Sequence, residues 1–315
     1  VIASRKAFTI IFNTYIRNMV ERHTKKSNSN YGNCAAPSVN YRTPKRNQAT
    51  KSCYPKSYLR RLVHAFNNTE WAKDNPIVID DAAREEDIWK EIYSRMKHIC
   101  NNEKCWLNHL QVTEDGEDVT TDARQFFLPM RPESWKSNPR TWLTNFDIER
   151  IMKMYTKKHR DFHFIGPVPI DFAERRGDSC ISKELCDITI AAWKKKKYEK
   201  VGIVFNTDPS YLGGSHWIAA YIDLQVRRVY FYDSYGIPPP HQVRSLLNGL
   251  AKELGTELKY NPRRHQYFNT ECGVYCIHFI LSLIEGKIDF ESYVHEIALH
   301  DDEVVKYRDI FWDST

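Results

Sequence analysis

The chain has 315 residues, 42% hydrophobic and 27% charged, with a formal net charge of +6. That is enough sequence to bury a sizeable core in one large domain or two modest ones. No apolar run reaches the roughly 18 residues of a membrane span, and charges interrupt the apolar residues at the start, which excludes a signal-peptide pattern.

The charge is uneven. Residues 1–75 hold 14 Lys+Arg against 3 Asp+Glu, a net of +11, while the other 240 residues carry −5. Such a front end suits a polyanion such as nucleic acid, or is simply a solvated arm. Within it, Phe8, Ile11, Phe12, Tyr15, Ile16 and Met19 recur at helical spacing, so residues 1–25 are expected as a basic helical arm. Residues 26–53 are rich in Ser, Asn, Pro and Lys without a period and are expected as a flexible linker. Residues 54–139 are expected as a small helical region. Its stretch "DAAREEDIWKEIYSRMKHIC" has acids in its first turn and bases near its end, as the helix dipole favours.

Residues 140–315 read as one α+β domain. A helix starts at Thr144 or Asn145, and "DSCISKELCDITIAAWKKKKYEK" is expected to be another. Three strand-like segments follow, "KVGIVFNTD", "HWIAAYIDL" and "RRVYFYDS", then an amphipathic helix over 241–255 and a short strand "ELKYN". "CGVYCIHFILSLIEGK" is apolar nearly all round, the pattern of a buried helix. Helical stretches over 289–298 and 301–312 close the chain. Strands clustered between flanking helices argue for an α+β architecture.

The eight cysteines are scattered rather than dense, which favours a reducing compartment and a usable thiol. His98, Cys100, Cys105 and His109 are possible zinc ligands, but their spacing is not that of a familiar finger, so no metal or other cofactor is expected.

The chemistry concentrates near Cys272, at the start of the buried helix. Thr270 or Asn269 is placed to cap that helix, leaving Cys272 in its first turn, where the positive end of the helix favours a thiolate. A thiolate nucleophile needs a base and an orienting acid. A hairpin through "LQVR" pairs residues whose numbers sum to about 451. Ile218 then faces Asp233, with His216 two residues along on the same face. Asp223 has the wrong parity on His216's own strand. Gln266, six residues before Cys272, supplies an amide suited to an oxyanion hole beside the Cys272 backbone N–H. Gly273 permits close approach of chain or substrate. The residues thus spell a Cys–His–Asp hydrolase with a Gln oxyanion donor.

"GGSHWIAAYID", "VYFYDSYG" and "HQYFNTECGVY" resemble the adenain and SUMO-protease group of cysteine proteases. The likeness spans roughly residues 140–312 and runs nearest to the polyprotein-processing proteases of large DNA viruses such as African swine fever virus. It implies a papain-related fold with a mixed central sheet, a buried helix carrying the catalytic Cys, and an N-terminal helical region. By resemblance, His216 is the base, Asp233 the orienting acid, Gln266 the oxyanion donor and Cys272 the nucleophile. That viral branch is expected to carry Asn where this chain has Asp233. Trp217 is expected to wall a tunnel over substrate glycines, and Asn206 to bind substrate backbone. The implied activity is a thiol endopeptidase cleaving after Gly-Gly-type sites, with capsid or core polyproteins as substrates during virion maturation. The implied locations are virion and viral factory in the host cytoplasm, or cytoplasm or nucleus for a non-viral chain. Proteases of ubiquitin-like modifiers share this chemistry, and an inactive nucleic-acid-binding scaffold is the alternative of another class.

Overall fold

A computed structural model describes residues 33–37, 39–46, 51–114, 117–118, 120–297 and 299–314. The expected basic arm over 1–25 lies outside these residues. The chain divides into two compact units. The first takes in Gln48–Ala123 together with Val1–Asn33, and the second takes in Cys34–Asn47 and Arg124–Thr315.

In the first unit, helices Lys56–Asn67 and Glu85–Met96 bury Leu59, Leu62, Ile88, Trp89 and Ile92. Glu85, Glu86 and Asp87 occupy the first turn of the second helix and Arg95 its last, as the dipole argument expects. Glu103 is fully buried, and its carboxylate oxygens are satisfied by Ser52 Oγ, the Cys53 N–H and Trp89 Nε1, which all donate to it at 2.7 Å. Cys100 and Cys105 form a disulfide, which takes both thiols from the candidate ligand set and leaves its two histidines; His98 does not join the group of Cys100, Cys105 and His109.

The second unit is built on a five-stranded mixed sheet. In spatial order the strands are Leu258–Tyr260, Arg228–Tyr232, Trp217–Asp223, Lys200–Asn206 and Phe162–Pro169. The two outer pairings are parallel and the two inner ones antiparallel. Side chains alternate across it, so each face meets its own core. On one face Val204, Ala219, Tyr221 and Tyr232 pack under helices Asn145–Lys158 and Cys272–Ile284. On the other, Ile203, Phe205, Ile218, Ala220 and Phe231 meet Val243, Leu247 and Leu250 of helix His241–Leu254. Thr144 caps the first of these helices in a reciprocal box with Asp147. Gly255, left-handed at φ 66°, ends the last.

The structure differs from expectation at several points. Residues 34–47 belong to the second unit rather than to a linker: Val39–Asn40 and Lys45–Arg46 pair, and Val39 and Tyr41 are buried. Residues 124–139 also join the second unit. The long helix expected after Asp178 is instead two short ones, Lys183–Cys186 and Ile190–Lys195, the first closed by a Cys180–Cys186 disulfide. The edge strand Phe162–Pro169 had no clear sequence signal. Among the described residues, no helix is long and apolar enough to cross a membrane.

Candidate active site

The hairpin fixes two of the site residues. Its pairs run from Arg228↔Asp223 to Tyr232↔Ala219, which keeps the number sum at 451. His216 precedes the first strand and Asp233 follows the second, so they meet diagonally. His216 Nε2 lies 2.8 Å from Asp233 Oδ1. Asp223 sits at the far end, accepting from the turn amides of Gln225 and Val226.

The acid is itself held on all sides. Its Oδ1 also accepts the Tyr235 N–H at 2.8 Å, its own N–H donates to Asn261 Oδ1, and its carbonyl accepts from Asn261 Nδ2. Tyr235 stacks on the His216 ring at 4.6 Å. Asn261 and Tyr235 escaped the sequence reading. Tyr235 had the faint signal of standing two residues after the acid, while Asn261 had none, because its partner is 28 residues away.

Cys272 is the first residue of the buried helix, 2% exposed, with Cys276 one turn on; these two are the free thiols. The expected cap is corrected. Neither Thr270 nor Asn269 caps this helix; Glu271 is the N-cap residue and makes no side-chain cap bond. Its carboxylate is drawn instead to Arg308 at 2.8 Å. Cys272 nonetheless stands where the unpaired N–H groups of the helix point.

Cys272 lies close enough to His216 to help raise its pKa. Because Asp233 takes Nε2, the imidazole is left with Nδ1 for the thiol. Burial alone would push the imidazole down, but the hydrogen bond to Asp233, the nearby Cys272 sulfur and the charges of both raise it to about 9. Burial pushes the Cys276 thiol up, helped by Cys272 and Asp233, so that sulfur stays protonated. A thiol beside an imidazole whose second nitrogen is held by a carboxylate is an arrangement for nucleophilic attack on a carbonyl carbon.

Gln266 is fully buried. Ser234 Oγ donates to its Oε1 at 2.6 Å, and its Nε2 donates to Phe268 O at 2.5 Å. One amide hydrogen is thereby committed. Ser234, next to Asp233, fixes which end of the amide is the donor, and sequence reasoning missed it.

Trp217 is 9% exposed, and its Nε1 donates to Leu143 O at 2.9 Å. A Cβ placed on Gly273 would lie 3.1 Å from Leu143 and 3.2 Å from Trp217 Cδ1. Gly273 therefore lets the Cys helix press against these two side chains. Asn206 is turned to local work: its Oδ1 accepts from Asp208 N at 2.9 Å and from Ser215 N at 3.4 Å, and its Nδ2 abuts Gly214. The structure thus brings His216, Asp233, Cys272, Trp217 and Gly273 together around the thiol. Gln266 joins through Ser234, while Asn206 holds the loop that leads into His216.

Comparison with known proteins agrees with this geometry. Residues 183–312 match the Ulp1 protease family, C-terminal catalytic domain. Over these residues the chain is similar to the Ulp1-type protease domain, and it is a cysteine-type peptidase. A protein of Acanthamoeba polyphaga mimivirus, named as a thiol protease, is 27% identical over 71% of this chain and 74% of its own. The SUMO-1 cysteine protease of African swine fever virus (Kenya isolate) is 25% identical over 72% of this chain and 90% of its own. The crystal structure of the African swine fever virus protease has the same fold, with a TM-score of 0.52 over 89% of this chain and 98% of that one, at 19% identity. This cysteine-type peptidase is thus similar to two viral thiol proteases in sequence and shares the fold of one of them.

Proposed function

We propose that this peptidase cleaves polypeptides after Gly-Gly-type pairs, with Cys272 as nucleophile and His216, Asp233 and Gln266 in the roles that their contacts suit. The observation that carries the specificity is the depth of the thiol. Cys272 is 2% exposed beside Trp217 and Leu143. A scissile residue with a side chain would have to displace that wall, whereas glycine has no Cβ to clash and tolerates the extended strand needed to reach the sulfur.

The steps follow from the contacts. The Cys272 thiolate adds to the glycyl carbonyl, and the oxyanion takes the second Gln266 amide hydrogen and the Cys272 backbone N–H. His216, charged up to about pH 9, gives its proton to the leaving amine. A water molecule then gives its proton to the neutral imidazole and hydrolyses the thioester, restoring the thiol pair. Asp233 holds the ring throughout and need not be protonated.

The relatives' viral origin supports capsid or core polyproteins as substrates, cut within the assembling particle or the surrounding host cytoplasm. The name of the African swine fever virus relative supports a second substrate, a SUMO-like modifier with a C-terminal Gly-Gly. Cleavage of a fluorogenic peptide carrying Gly-Gly before the scissile bond, beside a SUMO conjugate and a Cys272→Ala control, tests both. Peptide cleavage lost in Cys272→Ala supports the first reading. Cleavage of the conjugate alone moves the substrate to the modifier. A Cys272→Ala variant as fast as wild type would sink the assignment of the nucleophile.

A further inference from the structure

Between the oxyanion donor and the nucleophile runs a five-residue loop, Tyr267 to Glu271. Both of its ends are fastened by buried charges from the same distant piece of chain. At the Gln266 end, Asp301 Oδ2 accepts the N–H groups of Tyr267 at 2.8 Å and Phe268 at 2.9 Å. At the Cys272 end, Arg308 Nε donates to Glu271 Oε2 at 2.8 Å. Asp301, Glu271 and Arg308 are at most 4% exposed, so none of these bonds is screened by solvent.

Arg308 does more than neutralise Glu271. Its Nη2 donates to Thr141 O at 2.7 Å, and its guanidinium lies 4.5 Å from the centre of the Trp135 ring. Two residues beyond Thr141 stands Leu143, whose carbonyl holds Trp217 and whose side chain fits against Gly273. One planar cation thereby spaces the residue before the nucleophile from the segment that walls the thiol. Lysine cannot reproduce that fork. A buried pair of charges is a costly way to gain stability alone, since apolar isosteres often serve as well. Its placement next to Cys272 points to a demand for fixed geometry.

We propose that Asp301 and Arg308 are positioning residues: together they clamp the loop that sets the Gln266 amide and the Cys272 backbone N–H at the distance an oxyanion requires. This rests on the reading of Cys272 as nucleophile and Gln266 as oxyanion donor. The clamp acts on the transition state, because substrate binding does not need the two donors to converge. Displacing a reacting or stabilising group by about 1 Å costs on the order of 100-fold in rate.

The test uses the full chain and three variants: Arg308→Lys, which keeps the charge and loses the fork; Asp301→Asn, which keeps one acceptor; and the double Glu271→Gln/Arg308→Met, which removes both charges. Each is assayed for kcat and KM on the Gly-Gly peptide, for the iodoacetamide alkylation rate of Cys272, and for Tm. The expected result is a kcat lower by about 10- to 100-fold at unchanged KM. The double variant keeps a near-native Tm yet stays slow, while alkylation, which forms no oxyanion, keeps its wild-type rate. The proposal is overturned if activity in the double variant recovers with its stability, if KM rises while kcat holds, or if nothing changes. If an Arg308 variant does not fold, the other Arg308 variant tests the Cys272 end and Asp301→Asn the Gln266 end; if Asp301→Asn does not fold, the two Arg308 variants decide. Activity surviving in Cys272→Ala refutes the underlying site instead. If wild type leaves the peptide uncut, kcat and KM are read on the SUMO conjugate instead, with the same expected and overturning results.

Discussion

Asp233→Asn isolates the electrostatic part of the acid's work. Asparagine keeps an oxygen where Asp233 Oδ1 accepts from His216 Nε2 and from the Tyr235 N–H, both at 2.8 Å, so the ring should stay in place. What is lost is the charge. His216 titrates at about 9 against an ordinary 6.5, a gap worth about 3 kcal/mol in favour of the imidazolium. Burial opposes that gap, while Asp233 and Cys272 together create it. If the acid supplies about half, its removal lowers the midpoint by about one to two units. The sign is that of a raised base: the fold favours the proton below the midpoint and loses that advantage as pH rises through it. In kcat/KM profiles from pH 5 to 10, the alkaline limb of wild type should fall near 9, and that of Asp233→Asn one to two units lower. At pH 8.5 the variant should be about 3- to 25-fold slower, with a smaller deficit near pH 6.5. Asp223→Asn is the control, because Asp223 bonds only turn amides. An unmoved alkaline limb in Asp233→Asn, or one equally displaced in Asp223→Asn, would refute the reasoning.

Three further outcomes are expected. Gln266→Ala removes the oxyanion donor and should lower kcat by about 10²–10³ at nearly constant KM; a loss confined to KM would reassign Gln266 to substrate binding. Gly273→Ala sets a Cβ 3.1 Å from Leu143 and 3.2 Å from Trp217, so the wall must move by a few tenths of an ångström. A destabilisation of about 1–3 kcal/mol is expected in denaturant melts, with a fall in kcat/KM on the Gly-Gly peptide. His278 is fully buried between Tyr293 OH at 2.9 Å and Tyr41 O at 3.0 Å, and burial holds it down at about 3. An unfolded His binds its proton near 6.5, so stability should fall by about 1.4 kcal/mol per pH unit on acidification below that value. Burial lowers His265 too, in the same sense. Between pH 7.5 and 5 the His278 contribution is worth about 2 kcal/mol, so in urea melts His278→Gln should lose about 2 kcal/mol less stability than wild type over that range.

The parts of this site that were legible in the sequence are those set by short-range geometry. A tight turn between two alternating strands fixes register, and register alone brought His216 to Asp233 and rejected Asp223. The all-apolar run after Cys272 marked a buried helix because no polar face was left for solvent. The misses share a different cause. Thr270 is a good cap by composition, yet Glu271 takes the position because Arg308, 37 residues away, draws its carboxylate inward. Phe162–Pro169 carries Gly166, Pro167 and Pro169, which read as a breaker; as an edge strand it pairs on one side only, where prolines are tolerated. The polar stretch 34–47 has no period, but its Tyr41 carbonyl faces His278 inside the core. Ser234 and Asn261 are ordinary polar residues until the fold brings Gln266 and Asp233 to them.

The same division runs through the chemistry. The base and its acid are joined by a hairpin of under twenty residues, so their meeting costs little loop-closure entropy and needs few other contacts. The nucleophile and the oxyanion donor are only six residues apart, yet nothing local holds the loop between them. Its amides are taken by Asp301 and its last side chain by Arg308, both beyond the central helix. With the site assigned as proposed, proton transfer is encoded in one supersecondary unit, whereas the proposed oxyanion stabilisation depends on docking of the stretch from Asp301 to Phe311. A substitution in that stretch can leave the fold and the His216–Asp233 pair intact while widening the oxyanion site. Loss of kcat far from the thiol is therefore a specific expectation for this architecture, because the electrostatic term acts only when its donors are already in place.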